Sequence, residues 1–363
     1  MDKQLTDASF QLLLDKTTDI TDTFEINLGG IREDVCQATT DAIPYLNKLR
    51  EEMTKTPLPL GLDSRELVAG LIDMESWAQP GLQVAKAALV EGRVAAADAT
   101  PVIPHRRYLT TQIFACAVGV LTSKEPLKLT TQLAKTVASG GYDNSLQSVA
   151  KLIQQADVLS GSQSWPTAYM EYQLFKFVRG GTAEYVFIDG NLITQNLLTR
   201  RQGRDLFRQM LTGKRKKYVG VIKDITRSQT ELRMYARALH TGEMYIQGNL
   251  LDCMSDRLQD YAGDTTVFIQ TIGKDILRGV FKPGVKAFGF ECHREDLEEI
   301  VALLWLDRDG QPGHEIPFLL NQVDAKLRGR YRPSELSNLI DAGLVASFES
   351  DVYFDEALER SFR

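Results

Sequence analysis

The 363-residue chain has only four cysteines, Cys36, Cys116, Cys253 and Cys292, and no two form a CxxC pair. Thiols scattered in this way argue against a disulfide framework, and free thiols in a reducing compartment are expected. Cys116 and Cys292 lie inside apolar runs, where a thiol serves as a small buried hydrophobe. Histidine is equally scarce. His105, His240, His293 and His314 show no zinc-ligand spacing with a cysteine pair. His293, two residues after Glu291, is the one nearest to a candidate site. There is no GxSxG elbow for a serine nucleophile. There is also no GxxxxGK[ST] loop, which argues against ATP hydrolysis by this chain. No window approaches 18 uninterrupted apolar residues, so no membrane helix is expected. The first residues, MDKQLTDASFQLLLDK, are too acidic and polar for a secretory signal, and the expected location is cytoplasmic. A net charge of −6 gives no direct argument for a nucleic-acid partner, yet a basic channel can sit on a mildly acidic protein.

What is present is an ordinary globular composition, 43% apolar and 25% charged, on a chain long enough for a sizeable core. Residues 1–90 read as a helical region, with segments near 5–16, 33–56 and 64–90 carrying apolar residues at three-to-four spacing, such as Leu67, Leu71, Met74 and Trp77. That region is either a bundle packed on the rest or an element for dimerisation or partner docking. From Arg93 the pattern changes to short apolar runs alternating with helical segments. RVAAAD (93–98), LTTQIFACAVGVL (109–121), EYVFID (184–189), YVGVIK (218–223), TTVFIQ (265–270), Leu277–Phe281 and VKAFGFE (285–291) read as strands. Residues 99–108, with Pro101 and Pro104, read as a loop. Helices are expected near 127–138, 143–159, 166–178, 200–212, 229–239, 294–305 and 316–328. Strands alternating with helices indicate an α/β fold with a mixed central sheet flanked by helices. The expected division is 1–90, a domain over 91–345, and a tail over 346–363.

The informative feature is the polar residue that ends several apolar strands: Asp98, Asp189, Lys223 and Glu291. In open α/β sheets, functional groups gather at strand ends, where side chains converge on a crevice. One such acid is more often a turn former or helix cap; several together are harder to explain in that way. Glu171 belongs with them, because it lies in PTAYMEYQLFKFV among apolar residues. A carboxylate placed there needs a partner, either a shared metal ion or a neighbour such as Lys176 or Arg179. An oxygen-rich site favours Mg²⁺ or Mn²⁺ over zinc. Basic clusters recur beside these acids: Arg106 and Arg107, Arg200 and Arg201, Lys214, Arg215, Lys216 and Lys217, and Arg328 and Arg330. Any one cluster is commonly a solvated face. Together they suit a phosphate backbone lying across an acidic site, without base specificity.

The ordered motifs AADAT (Asp98), AYMEYQ (Glu171), FIDGN (Asp189, Gly190), VIKDI (Lys223) and FGFECH (Glu291) resemble the NurA nuclease family. EIPFLLNQVDAKLR resembles that family's closing proline-and-helix segment. The resemblance covers about residues 93–330 and implies an RNase H-like core and manganese-dependent cleavage of DNA. It further implies a homodimer acting with a HerA-type hexameric DNA-translocating ATPase, in end resection or anti-phage defence. By the same resemblance, Asp98, Glu171 and Asp189 are metal ligands and Lys223 lies near the scissile phosphate. Two departures mark a divergent, bacterial-type member. Asp324 stands where a late histidine is common, and Ala99-Thr100 follows Asp98 in place of glycine-serine. The expectation is therefore a Mn²⁺- or Mg²⁺-dependent deoxyribonuclease, with Glu291 and Asp324 as further candidate ligands. Two alternatives stand beside it: a catalytically silent adaptor that binds DNA or regulates the ATPase, and an α/β protein whose strand-end acids are caps.

Overall fold

A computed structural model of the chain describes residues 28–55, 70–108, 111–137, 165–212, 216–225, 230–261, 263–308 and 316–331. The chain divides into two units, Met1–Lys48 and Leu49–Arg363. Helix α1 (Leu28–Lys55) is followed by β1 (Leu71–Asp73), α2 (Met74–Ala78) and α3 (Leu82–Glu91). The strands β2 (Val94–Tyr108), β3 (Thr111–Thr122) and β4 (Lys128–Val137) come next, then α4 (Trp165–Gly180) and β5 (Tyr185–Asp189). After them lie α5 (Gln195–Leu198), α6 (Arg201–Leu211), β6 (Lys217–Ile222), α7 (Thr230–Ala238), β7 (Glu243–Asn249) and α8 (Leu250–Cys253). The last described elements are α9 (Gly263–Ile272), β8 (Ile276–Lys282), β9 (Phe288–His293), α10 (Leu297–Leu306) and α11 (Phe318–Arg330).

The strands form one nine-stranded sheet in the order β1-β7-β8-β9-β6-β5-β2-β3-β4. Pairings β2–β5 and β5–β6 are parallel and the others antiparallel. The RNase H-like part is the run β2 to β6, an antiparallel meander joined to two parallel strands. Parallel strands need cover on both faces, which explains why VAAAD and YVFID are apolar without alternation. Even-numbered Val94 and Ala96, with Phe187, Val221 and Phe290, face a layer formed by α2, α3, α10 and α11. Ala97, Val186 and Ile188 face the opposite layer of α4, α6 and α9. A third apolar group joins Met53 at the end of α1 to Leu232, Tyr245 and Val280. Beside it, the guanidinium of Arg50 forms a two-pronged ion pair with the Glu243 carboxylate.

Several expected elements differ from those observed, each for a physical reason. TTVFIQ lies in α9 and is not a strand. Its buried residues Thr265, Phe268, Ile269 and Ile272 recur at the 3.6-residue period, so packing overrides the β-branched composition. Where a helix was expected near 127–138, Lys128–Val137 forms edge strand β4, held by pairing with β3 along its length. Residues 99–108 continue β2 and are not a loop. The register shifts around Pro101–Ile103 and Ile103–Arg106, as expected where proline supplies no ladder N–H. Within 64–90, Leu71–Asp73 pairs with β7, and a turn over Gln79–Gly81 that includes Pro80 separates α2 from α3. Strand β7 itself was not expected from the sequence. The segments 5–16 and 143–159 lie outside the described residues.

Phe207 is fully buried, with ring centroids 5.3 Å from Phe175 and 6.2 Å from Phe268. It therefore ties α4, α6 and α9 into one layer. Phe207→Ala is expected to lower unfolding free energy by about 3–5 kcal/mol, measured by urea titration.

Candidate active site

Strand register brings the first two acids together. Parallel pairing of Ala97 with Ile188 makes Asp98 and Asp189 the next neighbours, on strands about 4.8 Å apart. Both continue the even-odd alternation that faces α11. Lys223, immediately past β6, follows Val219 and Val221 on that face. Its ammonium lies 2.7 Å from Asp189 Oδ2 and 3.3 Å from Asp324 Oδ2. Asp324 comes from α11, and its other oxygen lies 2.7 Å from Nε of the exposed Arg328. The structure thus brings together Asp98, Asp189, Lys223 and Asp324.

The electrostatics of this group are set by burial. The Asp98 carboxyl is pushed up to about 7, first by burial and then by the Asp189 charge. Lys223 and a 2.7 Å hydrogen bond from the Ala99 N–H oppose that shift. Asp189 is also raised, by burial, while Lys223 and a hydrogen bond from the Asp98 carboxyl favour its anion. For Lys223, burial disfavours the charge, but Asp189, Asp98 and Asp324 together outweigh it and hold the ammonium above its usual range. Three carboxylates thus share one buried ammonium.

Two other candidates are held elsewhere. Glu171 lies one helical turn from Ala168 and Phe175, on the inward stripe of α4, so its side chain is on the opposite side of the sheet from Asp98. It accepts hydrogen bonds from Thr194 Oγ1 at 2.7 Å and Asn196 Nδ2 at 3.1 Å. Burial raises its pKa and those two bonds oppose the rise. Glu291, 1% exposed, also faces that side, between Phe290 and Cys292, which face the other. Its Oε2 accepts from the Ile193 N–H at 3.1 Å and its Oε1 lies 3.6 Å from Arg278 Nε. It secures the loop that follows Asp189. Two glycines allow that loop: Gly190 has φ +101°, and a Cβ on Gly220 would sit 2.4 Å from Leu192 N. Sequence reading placed Glu291 among the metal ligands, whereas its contacts are those of a loop anchor.

The basic clusters also divide. Lys216 Nζ donates to the carbonyls of Val178 (3.0 Å), Arg179 (2.7 Å) and Gly181, closing the C-terminus of α4. Lys217 pairs with Glu299 and lies over the Tyr185 ring. Both are engaged within the fold and are not free to bind phosphate. Arg201, Arg328 and Arg330 are exposed, and Arg200 is half-buried. Lys214 and Arg215, and the side chains of Arg106 and Arg107, lie outside the described residues.

Among the described residues, no three His, Cys, Asp or Glu side chains stand close enough to hold a metal ion. The donor chemistry nevertheless fits a hard divalent cation. Asp98, Asp189 and Asp324 supply only oxygen, and burial together with the Asp189 charge disfavours the Asp98 anion, which a cation would relieve.

Two outcomes follow. Because the folded state holds the Asp98 proton up to about pH 7 and the unfolded chain releases it near 4, its ionisation costs stability as pH rises between those values. Asp98→Asn is expected to flatten the fall in melting temperature across that window, read by calorimetry. Glu291→Ala leaves Arg278 without its buried partner and should cost about 3–5 kcal/mol in urea unfolding. A variant as stable as the parent would remove the loop-anchor assignment.

No protein-family model matches the chain, and no curated protein matches it. Among solved structures, the chain is similar to the NurA nuclease from Sulfolobus solfataricus, at 12% identity and TM-score 0.41, over 70% of this chain and 85% of that one. It is also similar to NurA bound to dAMP and manganese, at 9% identity and TM-score 0.44, over 86% and 97%. Human ENDOV follows at 14% identity and TM-score 0.32, over 72% and 99%. The likeness to the NurA structures is remote in sequence.

Proposed function

We propose that this chain is a DNA nuclease that hydrolyses phosphodiester bonds with Mn²⁺ or Mg²⁺. The observation that carries the reading is the convergence of Asp98, Asp189 and Asp324 on Lys223, just past the point where β2 and β5 cease to pair in parallel. Such a buried excess of carboxylate costs stability and has no evident role in packing. Asp98, Asp189 and Asp324 would hold the ion, Asp98 giving up its proton as it does so. When bound, a divalent ion supplies an activated water and stabilises charge on the phosphate. Lys223, released from Asp189 or Asp324, then faces the phosphate oxygens. Glu171 joins the ligands only by giving up Thr194 and Asn196, both on the segment just past Asp189. Arg328 and Arg330, exposed at the end of α11, position the DNA backbone.

Because the sequence carries no phosphate-binding loop, movement along DNA calls for a separate motor. We assign this role to a HerA-type hexameric ATPase acting with a homodimer of this chain, in end resection or anti-phage defence. A second reading, a silent adaptor that binds DNA or regulates that ATPase, is favoured by one observation. Lys223 already neutralises Asp189 and Asp324, as an internal cation in place of a metal.

End-labelled single- and double-stranded DNA incubated with Mn²⁺, Mg²⁺ or EDTA separates the two readings. Cleavage is expected with either metal, absent in EDTA, and reduced roughly 10³-fold in Asp98→Ala, the rate equivalent of several kcal/mol of lost charge stabilisation. Full activity in that variant would sink the site assignment. DNA binding with no cleavage, and no metal-induced thermal shift, would establish the adaptor.

A further inference from the structure

A cleft of about 470 Å³ lies on the α4 side of the sheet, between the C-terminal half of α4 and the edge strand β4. Packing explains why it is there. Helix α4 rests mainly on β2 and β3, so β4 is left largely uncovered on this side. Small residues deepen the space, with Ala95 beneath it and Gly180 at the end of α4. Val120, Phe177 and Ala183 are half-buried against the second apolar layer and give the cleft its apolar surface. One wall is the outer face of α4, where Lys176 and Phe177 lie one turn before Gly180. The other wall is β4, where Lys128, Thr130 and Gln132 alternate onto the face that Val120 shares.

The polar groups of the cleft are biased towards donation. Thr122 Oγ1 accepts from the Lys124 and Glu125 N–H groups, at 3.3 and 3.0 Å, and Thr130 Oγ1 accepts from Gln132 Nε2 at 2.9 Å. Each hydroxyl therefore keeps its own proton to donate. Lys128 is matched by Glu125 at 2.8 Å. Lys176 is exposed and has no ion pair among the described residues, which leaves the cleft one uncompensated positive charge. Cavities of this volume, apolar in the main with a few placed polar groups, are those that take small organic molecules. We propose that this cleft binds a small molecule that joins an apolar body to a single anionic head, the body against Val120 and Phe177 and the head at Lys176. The site stands apart from the nuclease reading, because none of Asp98, Asp189, Lys223 and Asp324 lines it.

The test is a ligand-observed NMR titration of the full-length protein with three probes: naphthoate, its neutral amide, and acetate as the head alone. Naphthoate is expected to bind saturably, with a dissociation constant on the order of 1 mM or below, as suits a ligand of that size. The amide should bind roughly 10-fold more weakly, the usual contribution of one charge-assisted hydrogen bond, and acetate should not saturate. Lys176→Gln should bring naphthoate down to the affinity of the amide and leave the amide unchanged. Thr130→Phe places a strand-favouring ring in the cleft and should abolish binding of both at an unchanged melting temperature. No saturable binding of naphthoate by the parent protein overturns the proposal, and this measurement requires no variant to fold. Equal binding of naphthoate and its amide overturns the anionic head. Parent-like naphthoate affinity in a folded Thr130→Phe overturns the location. Should that variant fail to fold, Lys176→Gln decides the location alone, since its side chain is exposed; parent-like naphthoate affinity there overturns it.

Discussion

Two carboxylates buried side by side set the character of this protein. Adjacent parallel strands fix Asp98 and Asp189 as neighbours by backbone hydrogen bonding, so neither can withdraw without breaking the sheet. Burial raises both, the Asp189 charge adding to the rise of Asp98, and Lys223 offsets the negative charge that they concentrate with Asp324. Folding therefore bears a cost at this cluster, which the apolar layers on either face of the sheet offset. Sites of this kind, where local stability is given up, are where function is usually found.

Much of the surrounding structure keeps this cluster in place. The loop after Asp189 turns through Gly190, lies against Gly220, and is tied by Glu291 to the adjoining strand β9. Helix α11, which brings Asp324, begins with its Leu319 N–H donating at 3.2 Å to Asp307, a buried acid raised to about 7 by burial. Its Leu320, Val323 and Leu327 then fix the helix against the sheet face on which Asp98 lies.

The strand-end acids were legible because apolar runs closed by a charge are conspicuous, and the strands that carry Asp98, Asp189 and Lys223 lie where the pattern put them. Helices α4, α6, α7, α10 and α11 were legible for the same reason, their apolar residues recurring at helical period. Less legible were segments whose composition conflicts with their packing. TTVFIQ has strand composition and helical burial, KLTTQLAKTV has helical composition and an edge-strand partner, and residues 99–108 contain prolines yet extend a strand. The roles of Glu291, Lys216 and Lys217 were equally hidden, since their partners lie far away in sequence.

By itself the sequence determined much of the alternation of strands and helices and placed ionisable groups at the ends of apolar runs, because periodicity and apolar runs are local properties. Tertiary structure alone decided which of those groups meet. Strand register sends Asp98, Asp189 and Lys223 to the α11 face, and sends Glu291 to the other, where α4 turns Glu171 inward. A side chain's face depends on a one-residue register, and its partner on the helix packed there; neither is written in the residues around it.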